Sequence, residues 1–161
     1  MSVRAVLFAV LAALAACSPM AADAGQKAST AASARHPGSG LEMAPLTIVS
    51  AGKRHPFHVE VARSGGEQAK GLMFRTAMGA DEGMIFPMEP ARQASFWMKN
   101  TVIALDLVFI GPDRRIESIA ADAVPYSLSP IASKSAVSAV LELNGGRAAQ
   151  LGLAPGDAVS W

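Results

Sequence analysis

The 161-residue sequence has one cysteine, no marked excess of either charge and a single long apolar run, which together exclude several classes of protein. One cysteine cannot form an intramolecular disulfide, so the chain is not a disulfide scaffold. The 14 Lys and Arg residues are balanced by 13 Asp and Glu residues, so the basic surface typical of a nucleic-acid-binding protein is absent. The sequence also lacks metalloprotease, P-loop, serine-hydrolase and dinucleotide-binding signatures, and no established catalytic class is indicated.

The N-terminal segment 1–16 has the composition of a signal peptide. An arginine precedes the apolar run 5–15, which is too short for a transmembrane helix. The run ends in Leu14-Ala15-Ala16-Cys17, which resembles the bacterial lipobox, where the cysteine is lipidated and the chain is cut before it. We therefore expect a protein on the periplasmic side of the bacterial cell envelope, anchored by lipid on Cys17. The alternative is cleavage after Ala24, which would release a soluble periplasmic or secreted protein.

The mature chain is predicted to comprise a lipidated cysteine and flexible linker at 17–45 and a single globular domain at 46–161. The linker is rich in Ala, Ser, Gly and Pro, and it cannot bury enough apolar surface to offset the entropy of ordering. His36 lies alone in this linker and is interpreted as a solvated side chain. The remainder has the length of one ordinary domain.

Short alternating runs of apolar and polar residues predict seven or eight strands in this domain, and capping signals predict two short helices. Ser64-Gly65-Gly66-Glu67 is a capping box that begins the first helix, and Gly152 ends the second. Pro87 is expected to end a short strand that begins at Met84. The strands do not alternate with long helices, so we predict an α+β, mainly β fold: a compact, barrel-like, largely antiparallel domain.

Polar residues in and around the segment 96–101 are the strongest candidates for a ligand site. Asp106 lies between two leucines in an apolar strand predicted over residues 105–110, and a carboxylate that is buried there needs a partner. The segment 99–101 is expected to supply the donors, with backbone and Asn groups dominating over the flexible Lys99. The resulting network could bind a ligand or simply fix a turn. The candidate ligand-binding residues are Arg75, Trp97, Lys99, Asn100, Thr101 and Asp106.

A cluster of methionines lies between residues 73 and 98. Thioethers are soft ligands that suit Cu(I), but methionine also fills irregular gaps in apolar cores. Because phenylalanines and other apolar residues crowd the same segments, core packing is favoured, with Met73, Met84 and Met98 expected to be buried among Phe74, Phe86 and Phe96. The clustered methionines are Met73, Met78, Met84, Met88 and Met98.

Histidine offers no convincing metal site. His55 and His58 are the only histidines of the predicted domain, and they lie three positions apart on either side of a proline. On a strand such a pair points to opposite faces, so it cannot chelate one ion. The sequence therefore predicts no metal ligands and no cofactor.

Several segments of the domain resemble the family called domain of unknown function 192, also known as uncharacterised protein family 127. The resemblance covers residues 46–161 and departs from the family pattern at Ala104, where a proline is usual. It implies a single-domain bacterial or archaeal protein, often exported or membrane-attached, without an established activity. The segments are Gly71-Leu72-Met73-Phe74-Arg75, Glu82-Gly83-Met84-Ile85-Phe86, Phe96-Trp97-Met98-Lys99-Asn100-Thr101, Leu105-Asp106, Val124-Pro125-Tyr126, Leu141-Glu142-Leu143-Asn144-Gly145-Gly146 and Gly156-Asp157.

These observations predict an exported, membrane-anchored envelope domain that binds an unidentified small molecule, peptide or protein partner, with no nucleic-acid partner. One alternative is a metal-independent enzyme that uses Lys99 and Asp106. Another is a copper-handling protein that uses its methionines.

Overall fold

The structure of the protein, a computed structural model, describes residues 34–161. The predicted signal peptide, Cys17, the alternative cleavage site and the first part of the predicted linker lie outside the described residues. Within residues 34–161 no helix is long and apolar enough to cross a membrane. This part of the chain forms nine strands and two short helices: β1 (Glu42–Ser50), β2 (Lys53–Val61), α1 (Gly65–Lys70), β3 (Glu82–Arg92), β4 (Ser95–Phe96), β5 (Leu105–Ile110), β6 (Ile116–Ala123), β7 (Ile131–Ala132), β8 (Val137–Asn144), α2 (Arg147–Leu151) and β9 (Ala158–Ser160).

Seven of these strands form one sheet in the order β6-β5-β8-β3-β2-β1-β9, and β4 pairs with β7 separately. Strands β2 and β3 run parallel, and the other neighbours in the sheet are antiparallel. The two edges of the sheet meet at an isolated bridge between Arg115 and Ala158. There the Val159 N–H donates to the Arg114 carbonyl at 2.8 Å. The sheet is therefore curled and barrel-like without being a closed barrel, and the predicted mainly β fold with two short helices is confirmed.

Local signals predicted some boundaries well. Strand β5 has the predicted bounds, and the capping box of α1 is present: the Ser64 hydroxyl accepts from the Glu67 N–H at 3.2 Å, and the Glu67 carboxylate accepts from the Ser64 N–H at 2.7 Å. The prediction that Pro87 ends its strand is wrong, because β3 continues to Arg92. The pairing of β3 with β8 becomes irregular after Pro87, and strands tolerate proline at such irregularities.

The ordered domain begins earlier than the sequence indicated. Strand β1 starts at Glu42, which pairs with Val61 of β2, so residues 42–45 belong to the sheet rather than to the linker. Before it, the chain folds back on itself, with the Met43 N–H donating to the Ala34 carbonyl at 2.7 Å. Composition alone does not reveal this order, because it comes from hydrogen bonds to a neighbouring strand.

Alternate residues of the central strands pack into two apolar clusters on opposite faces of the sheet. We call them the aliphatic face and the Met/Phe face after their main constituents. The aliphatic face is filled by Leu46, Ile48, Phe57, Val59, Val61, Ile85, Val108, Ile110, Ile116, Ala139, Leu141, Leu143, Ala148, Leu153 and Val159. The Met/Phe face is filled by Ala62, Leu72, Met84, Phe86, Met88, Ala94, Met98, Leu105, Leu107, Phe109, Ala123, Val137 and Val140.

Candidate functional site

Glu142 is a buried carboxylate on the Met/Phe face. Alternation along β8 sends Leu141 and Leu143 to the aliphatic face, so Glu142 points the other way. Its neighbours across the sheet are Met84 on β3 and Leu107 on β5, neither of which can solvate a charge. Burial raises the pKa of Glu142 to about 8, because a low-dielectric surrounding disfavours the ionised form.

No hydrogen bond or ion pair to the Glu142 side chain occurs among residues 34–161, although only 5% of the residue is exposed. Buried polar groups in proteins almost always have a partner, and leaving one unmade costs about 1–3 kcal/mol. Among residues 34–161 the fully enclosed side-chain atoms without a partner are His55 Nε2 and Arg147 Nε. The Glu142 carboxyl is not among them, so it is nearly enclosed and its oxygens open onto the space beside it.

Glu142 lines a surface pocket of about 360 Å³, which we call the Glu142 pocket. This volume lies within the range of small-molecule sites in proteins. Apolar side chains surround the carboxyl, and polar and charged groups come from α1, the end of β3 and the segment 93–101. The lining residues used below are Ala69, Lys70, Leu72, Met73, Phe86, Met88, Arg92, Phe96, Trp97, Lys99, Thr101 and Glu142.

Close packing fixes the walls of the Glu142 pocket. Phe86 and Phe96 meet edge to face, with ring centroids 5.1 Å apart. Gly71, at the end of α1, has a φ of 47°, and a Cβ there would lie 3.4 Å from the Phe86 ring. Glycine therefore lets the chain turn tightly against this wall.

Trp97 and Lys99 form an exposed part of the lining. Trp97 is 51% exposed, and the Lys99 ammonium lies 5.2 Å from its ring centroid, within the range of a cation–π contact. The segment is held by backbone hydrogen bonds: Met98 N–H donates to the Ser127 carbonyl at 2.9 Å, and Thr101 N–H to the Met98 carbonyl at 3.0 Å. An aromatic face and a cation are therefore presented beside the buried carboxyl.

Of the six residues proposed from sequence, three line the Glu142 pocket: Trp97, Lys99 and Thr101. Asn100 is adjacent but outside the lining, where its side-chain amide contacts the Met73 sulfur at 3.8 Å. Arg75 and Asp106 belong to other parts of the molecule. The structure thus brings together half of the predicted set, around a carboxyl that was not in it.

Asp106 is fully buried, and its carboxylate accepts hydrogen bonds from backbone N–H groups. Its Oδ1 accepts from the N–H groups of Asp122 at 2.9 Å and Gly146 at 3.0 Å, and its Oδ2 accepts from Ala148 N–H at 2.7 Å. It therefore fixes the start of α2 and a residue of β6. Backbone donors dominate, as predicted, but they come from these elements and not from the expected segment 99–101, because tertiary folding brings distant N–H groups closer than neighbours in sequence.

Arg75 pairs with a second buried glutamate, Glu60. The Arg75 Nη2 lies 2.7 Å from Glu60 Oε1, and the Ser39 hydroxyl donates to Glu60 Oε2. The His36 Nδ1 lies 3.7 Å from the same Oε2. His36 is therefore part of a polar cluster and not the isolated, solvated side chain expected from the sequence. Its segment is ordered on the domain, where Glu60 and Arg75 can reach it.

Three methionines pack in the apolar interior: Met84, Met88 and Met98 are buried in the Met/Phe face. The expectation for Met73 is wrong, since it is only half-buried and its neighbour Phe74 is 69% exposed. These two residues lie beyond the end of α1 at Lys70, in a turn and not on an inward helical face. No group of three or more His, Cys, Asp or Glu residues suited to a metal ion occurs in the described part of the chain.

Sequence reasoning missed Glu142, although a signal for it was present. Asp106 drew attention because it lies between two leucines, and Glu142 lies between Leu141 and Leu143 in the same way. The same test applied to both strands finds both buried carboxylates. It cannot tell which of them has partners.

The fold and pocket define a single-domain, mainly β protein with a buried carboxyl in a surface pocket. The chain belongs to the family of domain of unknown function 192, an uncharacterized ACR, which it matches over residues 46–161. It is similar to a protein of unknown function from Novosphingobium aromaticivorans, with 55% identity, 82% of this chain and 94% of that chain covered, and a TM-score of 0.79.

A second similar structure comes from Sinorhizobium meliloti and is described provisionally as a transcription regulator. It shares 38% identity over 74% of this chain and 94% of that chain, with a TM-score of 0.73. No curated protein matches the chain. The family relationship is consistent with the fold, and it assigns no reaction to the chain.

Proposed function

We propose that the protein is an envelope-anchored binding module that holds a small molecule in the Glu142 pocket. The observation that carries the proposal is the Glu142 carboxyl, which is buried, reaches a pocket and has no partner among the described residues. A ligand group that hydrogen-bonds to it would offset the cost of burying it alone. The apolar walls and the exposed Trp97 would supply the remaining contact area.

A purely structural role explains Glu142 less well. The protein stabilises its other buried carboxylates, Asp106 and Glu60, with backbone or side-chain donors. No donor from residues 34–161 reaches the Glu142 carboxyl, so this side chain contributes no hydrogen bond to the fold. Cost without structural benefit is typical of a functional group.

Catalysis without a metal is a second candidate, favoured by one observation. A carboxyl with a pKa of about 8 is protonated at neutral pH and can act as a general acid. In this version Glu142 replaces Asp106 beside Lys99, because the Asp106 oxygens are occupied by three backbone donors. The buried packing of Met84, Met88 and Met98 supports a core role for these methionines and gives the copper alternative no support.

The anchoring part of the proposal rests on Leu14-Ala15-Ala16-Cys17. We expect Cys17→Ser to move the protein from the membrane fraction to the soluble fraction, or to leave the precursor uncut. Fractionation with an antibody and N-terminal sequencing measures both. A wild-type protein that is already soluble and begins at Gly25 would contradict the anchor and leave the binding function untouched.

Native mass spectrometry of protein purified from its own envelope tests the binding function. We expect wild-type protein to retain a small molecule that is absent from Ala69→Trp, which places a large ring at an exposed position of the pocket lining. Ala149→Trp is the matched control, an exposed alanine on α2 outside the pocket, and should retain the ligand. Wild type and Ala69→Trp that each show only the mass of their own processed chain, with no added ligand mass, would refute the proposal.

A further inference from the structure

We propose that the ligand of the Glu142 pocket is an organic anion with an apolar body, whose carboxylate accepts a hydrogen bond from the neutral Glu142 carboxyl. This inference rests on the binding function proposed above and adds the chemical class of the ligand. Charge, protonation and shape of the pocket each support it.

The charges of the pocket favour an anion. Lys70 from α1, Arg92 from the end of β3 and Lys99 from the segment after β4 all line it, and among the described residues that line it Glu142 alone is acidic. Within residues 34–161, none of the three cations forms an ion pair. Cations around a cleft with low-dielectric walls raise the local concentration of anions.

The protonation of Glu142 points the same way. With its pKa raised to about 8, the neutral carboxyl predominates at pH 7, and a neutral carboxyl carries an O–H donor. Of the cross-strand neighbours, Leu107 has no polar group and Met84 has only a weak thioether acceptor, so neither competes with a carboxylate for that proton. A hydrogen bond from a carboxyl to a carboxylate is charge-assisted and among the stronger ones in proteins.

Shape and lining account for the apolar body. Leu72, Phe86, Met88 and Phe96 present hydrocarbon and aromatic surface beside Glu142. A volume of about 360 Å³ accommodates one aromatic ring with its substituent. Benzoate is therefore a suitable probe, and benzylamine is a probe of nearly the same shape with the opposite charge.

The competing ligand class is an amine that forms an ion pair with ionised Glu142. It would have to approach Lys70, Arg92 and Lys99, and it would bind better as the pH rises and Glu142 loses its proton. An anion that needs the Glu142 proton binds worse over the same range. The two classes therefore predict opposite signs of the pH dependence.

We would titrate the full chain with benzoate and with benzylamine at pH 6, 7 and 9, following intrinsic tryptophan fluorescence and NMR shifts. Benzoate is expected to bind, with a Kd that rises about tenfold between pH 7 and pH 9 as the neutral carboxyl is lost. Benzylamine is expected not to saturate the site. In Glu142→Gln, whose amide keeps a donor but a weaker one than the carboxyl, benzoate should bind several-fold more weakly than to wild type at pH 7 and without the pH dependence.

Glu89→Gln is the matched control, the same substitution at an exposed residue of β3 outside the pocket, and should behave as wild type. Benzylamine binding that strengthens with pH and disappears in Glu142→Gln would overturn the inference while leaving a binding pocket. A retained native ligand that is neutral or cationic would also overturn the inference about the ligand class, and the proposed binding function would stand. Absence of any retained ligand would refute the proposed function itself.

Discussion

Asp106 and Glu142 occupy neighbouring strands, lie between leucines and are both buried, yet they have opposite surroundings. Asp106 points to the side where α2 begins, and three backbone N–H groups surround it. Glu142 points to the Met/Phe face, where no donor reaches it from residues 34–161. The comparison shows that burial of a carboxylate does not define its role, and that its partners do.

Glu60 shows that the face of the sheet is not the cause of this difference. It lies on the same face as Glu142, with Met84 between them in the sheet, and it is equally buried. Arg75 and the Ser39 hydroxyl nevertheless reach it. The segment before β1 and the turn after α1 supply these partners. These two segments cover the Glu60 side chain, whereas the Glu142 side chain faces the Glu142 pocket.

In the comparison of Asp106 with Glu142, the largest change in the free energy of unfolding is expected from substitution of Asp106. Asp106→Ala leaves three backbone donors without their acceptor, and at about 1–3 kcal/mol for each buried group this amounts to about 3–9 kcal/mol. Such a loss is comparable to the whole stability of many domains. Asp106→Asn keeps one acceptor oxygen and should cost less. Urea unfolding monitored by circular dichroism measures both, and equal stability of Asp106→Ala and wild type would contradict the structural role.

Next in size is the packing of the Met/Phe face beside Glu142. Met84→Ala removes a buried side chain, and we expect a loss of about 2–5 kcal/mol in the free energy of unfolding. Met84→Leu nearly conserves volume and should cost less than about 1.5 kcal/mol. Differential scanning calorimetry of the two variants separates packing from chemistry. Stoichiometric Cu(I) binding lost in a Met84→Leu variant of unchanged stability would show instead that the thioether is a ligand.

Substitution of Glu142 is expected to have the smallest effect, and unlike the substitutions of Asp106 and Met84 it should increase stability. Burial raises its pKa from 4.5 to about 8, so between these values the native state holds the proton more tightly than the unfolded state. The free energy of unfolding therefore falls as pH rises from 4.5 to 8, by up to about 1.4 kcal/mol per pH unit from this group, and is constant with respect to it outside that range.

Glu142→Gln removes this dependence and should raise the free energy of unfolding at pH 7 by about 1–3 kcal/mol. Guanidinium titrations of wild type and variant at pH 5, 7 and 8.5 give the difference, which should grow with pH. Glu89→Gln is the control and should show no such growth. A variant less stable than wild type at every pH would mean that Glu142 makes a stabilising interaction and would end the contrast with Asp106.

Features set by neighbouring residues were predictable from the sequence. The short apolar run 105–110 predicted the bounds of β5, and the capping box of Ser64 and Glu67 marked the start of α1, because both depend on residues within a few positions of each other. Trp97, Lys99 and Thr101 were chosen from one short segment, and the structure places all three on one pocket.

Features set by contacts between distant residues were not predictable in this way. The continuation of β3 past Pro87, the order of residues 34–45 and the partner of Arg75 all depend on elements far apart in the chain. The segment 141–146 could be recognised in the sequence as typical of the family. The pocket beside Glu142 could not, because its walls come from distant parts of the chain.

The sequence by itself determined that this is a mainly β domain of the family of domain of unknown function 192, with a carboxylate between two leucines on each of two apolar strands. Only the tertiary structure decided which carboxylate would be satisfied. The start of α2 delivers its N–H groups to Asp106, whereas the elements above Glu142 leave a pocket. Apolar patterning acts within a strand, but hydrogen-bond partners are assigned by where the rest of the chain returns to the sheet.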